Sequence, residues 1–196
     1  MRLRLALALI LFLGSSAMAH VKYFPTDLLS SNPESDEFVA GWYSGQLKGL
    51  EEPSFWEWSQ TLKTESYRFL WLRTFHNPVS IRIEINADGT SRLTRKISSG
   101  AGGYAPGKLI DNYTIILTKE QTAWFLGKIE GNRFWKLPSI QETLGLDGSQ
   151  WIIEGIKNGS YHLVDRWSPK DGEVRVIGLA MMKELAKLKV PAKELY

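Results

Sequence analysis

The chain has 196 residues, with 24 Lys plus Arg against 21 Asp plus Glu and no cysteine. That length suits one domain with a single sizeable core. The missing cysteine excludes disulfides, thiolate metal sites, cysteine nucleophiles and a lipid-bearing lipobox, and the lack of a basic block argues against nucleic acid as a partner.

The N-terminus has the pattern of an export signal: basic Arg2 and Arg4, an apolar run from Leu5 to Leu13, and the small-x-small site Ala17-Met18-Ala19. Cleavage is expected after Ala19. The apolar run is shorter than the roughly 20 residues of a spanning helix, and nothing later in the chain would span a membrane. Removing Arg2 and Arg4 leaves 22 basic residues against 21 acidic ones. A cysteine-free exported chain points to a bacterial periplasm or to secretion.

Residues 20–34 are rich in Ser, Pro and Asn and are expected as an extended or disordered arm. A helix is predicted from Ser35 to about Gly49, with Phe38 and Trp42 on one stripe and Val39, Tyr43 and Leu47 on the next. The aromatic cluster Phe55, Trp56 and Trp58 shows no clear period. YRFLWLRTF, Tyr67 to Phe75, is apolar on both faces and predicts a central strand. Val79, Ile81, Ile83 and Ile85 alternate with polar residues, which predicts a half-buried strand turning at Asp88-Gly89 into a partner at Ser91 to Ile97. A glycine-rich loop, Ser98 to Lys108, leads to a strand at Tyr113 to Leu117. Thr118 and Gln121 form a capping box for a helix ending near Gly131-Asn132. A last helix begins near Asp171, carries Ile177, Met181, Leu185 and Leu188 at buried spacing, and stops at Pro191. Hairpins with helices packed on them make an α+β fold with an antiparallel sheet, in one domain over residues 35–190 with a short tail at 191–196.

Between Leu117 and that last helix lies the chain's richest stretch, DGSQWIIEGIKNGSYHLVDRWSP. Asn158-Gly159 predicts a two-residue hairpin that sets Trp151 opposite Arg166, Ile153 opposite Val164 and Gly155 opposite His162. Trp151, His162 and Arg166 then share a face, with a cation–π pair at one end and open space above Gly155. A serine triad of Ser160, His162 and Asp165 fails, because three residues along a strand place His162 and Asp165 on opposite faces. The loop from Gly100 to Lys108 lacks the Gly-Lys-Ser/Thr ending of a phosphate cradle, and it is expected as a flexible or tightly turned hairpin loop, with a ligand-facing lid as the alternative. A histidine exposed by cleavage, His20, would chelate copper with His76 or His162, but nothing else in the chain supports such a site. For glycoside hydrolysis Glu154 is the best single acid, without an identifiable partner.

The segments YRFLWLRTFHNP, GAGGYAPGKL, LDGSQWIIEG and YHLVDRWSP resemble those of a group of uncharacterised exported bacterial proteins, over about Phe38 to Leu188. That resemblance implies no activity, cofactor or partner. The expected function is therefore a non-catalytic binding or envelope-support domain. Trp151, His162 and Arg166 would be its ligand face, toward a polar or anionic small ligand or an envelope protein. The alternative is a hydrolase of envelope polysaccharide using Glu154. No metal or cofactor is expected.

Overall fold

A computed structural model describes residues 21–141, 145 and 147–196. The expected signal at 1–19 and His20 lie outside the described residues. The fold is α+β: six antiparallel strands in the order β4-β3-β2-β1-β5-β6, with helices packed on the sheet. The strands are β1 (Glu65–Arg73), β2 (Val79–Ile85), β3 (Ser91–Ser98), β4 (Leu109–Leu117), β5 (Ser149–Lys157) and β6 (Ser160–Trp167). The helices are α1 (Pro33–Gly49), α2 (Phe55–Thr61), α3 (Lys119–Gly131) and α4 (Glu173–Leu179), the last continuing as a wider π-type turn over Ala180–Leu185. No helix among the described residues is long and apolar enough to cross a membrane.

Local signals explain most element ends. Thr118 accepts from the Gln121 N–H while the Gln121 side chain accepts from the Thr118 N–H, closing the expected capping box at α3. Asn158 and Gly159 both adopt positive φ, 52° and 84°, as a type I′ turn requires. The β5–β6 register follows: Trp151 opposite Arg166, Gly155 opposite His162, Ile156 opposite Tyr161. Helix α1 starts at Pro33, two residues before the expected Ser35, because Asn32 caps it, accepting from the Ser35 N–H. The last helix, expected to begin near Asp171, starts at Glu173 with Gly172 at the cap position.

Both faces of the sheet are covered. Phe69, Trp71, Ile81, Ile83, Trp151 and Ile153 project to the side of α3 and α4. Leu70, Leu72, Ile152 and Leu163 project to the side of α1, where Tyr43 and Leu47 meet them. This alters two expectations. The polar positions of β2 are not solvated: Ser80 is fully buried and Arg82 nearly so. The segment expected as a loose arm is packed from residue 21 onward, with Tyr23, Phe24 and Leu29 in the second core. The Asp36 carboxylate holds this segment, accepting from the backbone N–H groups of Asp27, Leu29 and Ser30. The arm's polar, proline-broken sequence gives no period, so its few apolar anchors escape a pattern-based reading.

Candidate functional site

A groove of about 850 Å³ opens where the first half of α1, the glycine loop and the ends of β1 and β6 converge. Its aromatic residues are Phe38, Trp42, Tyr104 and Trp167; its polar side chains include Glu37, Asp147 and Gln150. Among the described residues, no Lys or Arg lines it. The size falls within the roughly 300–1,000 Å³ typical of ligand sites, and a mainly aromatic wall with few polar groups is their usual composition.

The wall is built by α1 gripping the glycine loop. Phe38, Trp42 and Gln46 recur every fourth residue and so lie along one helix face. Trp42 Nε1 donates to the Gly102 carbonyl at 2.8 Å, and Gln46 Nε2 donates to the Gly102 and Tyr104 carbonyls at 3.3 and 2.6 Å. From below, the N–H groups of Gly102 and Gly103 donate to the carbonyls of His76 and Thr74. A Cβ at Gly102 would lie 2.6 Å from backbone atoms of Leu72 and Arg73, so only glycine lets the loop sit this close to β1. The loop is thus a fixed wall, and its glycines serve close packing. On the far side the Trp167 indole lies against Gly145 and Gly148, where any Cβ would strike the ring.

The face expected to bind ligand is largely packed, with Trp151 buried and His162 and Arg166 half-buried. Trp151 is fully buried between Phe69 and Trp71, with ring centroids 5.2 and 5.6 Å away. Its cation–π partner is Arg175, 5.3 Å from the ring, rather than Arg166. Arg166 lies opposite Trp151 as expected, but its guanidinium turns outward to donate to the carbonyls of Pro138, Ser139 and Asp165. It is therefore already engaged and offers no bare cation to an anionic ligand. His162 packs against Phe134 and Trp135, and burial lowers its pKa. The space above Gly155 is filled: a Cβ there would meet the Phe134 ring at 2.6 Å. The register holds and the faces are as expected, but this face meets Phe134, Trp135 and α4. That covering comes from distant segments, which no local pattern in β5 or β6 reports.

Glu154 is likewise sealed. It is fully buried, with Oε2 accepting from Arg68 Nε at 2.7 Å and Nη2 at 2.5 Å, and Oε1 accepting from the Tyr161 hydroxyl at 2.9 Å. Arg68 also donates to the Pro53 carbonyl at 2.6 Å and lies 3.6 Å from Glu52, which in turn pairs with Arg82 at 2.9 Å and Lys96 at 3.4 Å. Burial pushes the Glu154 carboxyl up, against the pull of Arg68. Burial would lower Arg68, but the Glu154 and Glu52 carboxylates outweigh it and raise it. The network ties β6, β5, β1, β2 and β3 together under α2, and a proton donor enclosed this way does not reach a glycosidic oxygen. A lone Arg68 in an apolar strand and a lone Glu154 in another are the sequence's only hint of it, since a charge buried there needs a mate.

Asp165 points away from His162, as the strand period requires, and accepts from the Tyr43 hydroxyl at 2.7 Å. Its Oδ1 is buried and has no hydrogen-bond partner. Burial raises its pKa from 3.8 to about 6, opposed by the Tyr43 hydrogen bond and the Arg166 charge. The folded state therefore binds this proton more tightly than the unfolded one. The stabilisation is complete below about pH 4 and is lost as pH rises through about 6. Asp165→Asn should gain stability relative to the parent across that window, by up to about 3 kcal/mol, and hold the gain above it. Urea denaturation at pH 4, 5, 6 and 8 checks this; a pH-independent difference would contradict it.

No protein-family model matches the chain, and no curated protein matches it either. Among the described residues no group of three His, Asp or Glu side chains could hold a metal ion.

Proposed function

We propose that this chain is an exported, non-catalytic binding domain of the bacterial envelope, and that it takes its ligand in the groove between α1 and the glycine loop. The observation that carries the reading is the groove's construction. Phe38 and Tyr104 are 73% and 63% exposed although each stands on an element that is otherwise pinned in place. Large rings left bare on a rigid support cost solvation without aiding the core, and such sites commonly meet ligands. The export-signal pattern at 1–19 supports a ligand outside the cytoplasm, and the resemblance to exported bacterial proteins agrees with it. Binding without turnover is favoured because the hydrolase alternative relied on Glu154, which is enclosed by Arg68 and Tyr161.

Hydrogen–deuterium exchange tests the reading with soluble fragments released from bacterial envelopes by enzymatic digestion. Protection is expected at residues 37–42 and 102–104, with none at the β5–β6 turn. Protection confined to the β5–β6 hairpin, or to neither region, would remove the groove as the binding site.

A further inference from the structure

Resting on that groove reading, we propose that the ligand is a hexose-based glycan segment carrying no acidic groups. Charge is the first reason. Among the described residues, Glu37 and Asp147 are the charged side chains that line the groove, and no cation stands among them. A uronate, sulfate or phosphate placed there would meet like charge and gain no counter-ion.

The arrangement of the rings is the second. Trp42 packs on Tyr43 at 4.9 Å and Tyr104 on Phe75 at 6.3 Å. Two of the groove's rings are thus backed by a second ring, and no two of the four groove rings pack on each other, so they stand as separate platforms and not as a cage closing on one small cation. A pyranose presents a C–H face, electropositive at its hydrogens, and aromatic rings carry a negative face; a hydroxyl-bearing rim surrounds that apolar patch. Successive sugars of a chain would each find a platform. Gln150, Asp147 and Glu37 would take the rim hydroxyls, the carboxylates as acceptors and the amide as both donor and acceptor.

Backbone accounting disfavours a peptide. An extended peptide would bind by adding to a free strand edge. The loop wall offers none, because the N–H groups of Gly102 and Gly103 donate inward to the His76 and Thr74 carbonyls and that of Tyr104 is taken within the loop by the Ala101 carbonyl. An apolar helix would instead bury Glu37 and Asp147 without partners, at a desolvation cost.

Calorimetric titration of the full chain tests the inference with hexamers of N-acetylglucosamine, glucosamine and galacturonate. The first two should bind, and the galacturonate hexamer at least about tenfold more weakly. Phe38→Ala and Tyr104→Ala should each weaken binding by about tenfold, with thermal midpoint unchanged because both side chains are exposed. Equal or tighter binding of the galacturonate hexamer would overturn the inference, as would full affinity in both alanine variants. If every hexamer is silent while tetramethylammonium or a cationic peptide protects residues 37–42 and 102–104 from exchange, the glycan assignment falls and the groove stands. Silence from those probes as well takes down both.

Discussion

Arg68→Met is expected to lower unfolding free energy by about 3–5 kcal/mol at neutral pH. The reason is not the attraction lost but the charges left. Arg68, Glu154 and Glu52 are all buried, and Arg68 lies within 3.6 Å of both carboxylates. Glu52 retains Arg82 and Lys96. Glu154 retains only the Tyr161 hydroxyl, so its carboxylate would be stranded in a low-dielectric layer. Burial already raises its pKa with Arg68 present, and without Arg68 the rise would be larger. A carboxyl with a raised folded-state pKa loses stability as pH rises, so the deficit of Arg68→Met should be smaller near pH 5 than near pH 8. The double variant Arg68→Met, Glu154→Leu should recover much of the loss, since an apolar pair replaces an apolar-lined ion pair at similar volume. Chemical denaturation of the two single variants and the double at both pH values decides the matter. Equal deficits at pH 5 and pH 8 would mean that Glu154 is not the stranded charge.

This network also shows what the sequence discloses and what it withholds. The Asn158-Gly159 turn and the Thr118–Gln121 box are legible because each depends on residues within a few positions. The β2 alternation is legible too, but only half its meaning is: Ser80 and Arg82 read as solvent-facing, yet both are buried, with Glu52 and the α2 residue Trp58 meeting the Arg82 guanidinium. Which face of a sheet is covered depends on segments far away in the chain, so periodicity assigns faces without saying what lies over them. The same limit decided the binding face. Trp151, His162 and Arg166 share a side as the period dictates, but Phe134, Trp135 and α4 pack on it, burying Trp151 and leaving His162 and Arg166 half-buried. The groove draws on residues 37, 38, 41, 42, 74, 103, 104, 145, 147, 150 and 167, so no window of sequence contains it. Its one legible part is the glycine loop, where Gly102-Gly103-Tyr104 breaks every pattern around it and signals close approach or a ligand-facing edge.

That loop carries the other large effect. Gly102→Ala should cost stability on the order of 1–3 kcal/mol and abolish ligand-dependent protection of the groove. The added Cβ would lie 2.6 Å from the Arg73 N and O atoms and from the Leu72 carbonyl carbon. These are backbone atoms at the end of the central strand, which pairs with β2 on one side and β5 on the other, so β1 cannot give way. The loop must lift instead. Lifting it separates the Gly102 carbonyl from Trp42 Nε1 and the Gln46 amide, and breaks the Gly102 N–H bond to His76. Trp42 then loses the contact that sets its ring against the groove, and Tyr104 moves with the loop. Structure and binding fail together for one geometric reason, with no group of the ligand contact itself removed. A contrast separates this from a general aversion to alanine. Gly45, on the same helix as Trp42, has nothing within 4 Å of the position a Cβ would take and has ordinary helical backbone, so Gly45→Ala should stabilise the protein by up to about 1 kcal/mol. Denaturation midpoints for both variants, together with exchange protection at residues 37–42, check the pair of outcomes. A Gly102→Ala protein with the parent's midpoint and protection would mean that the loop does not rest on β1, and the groove would lose the rigid wall on which its ligand depends.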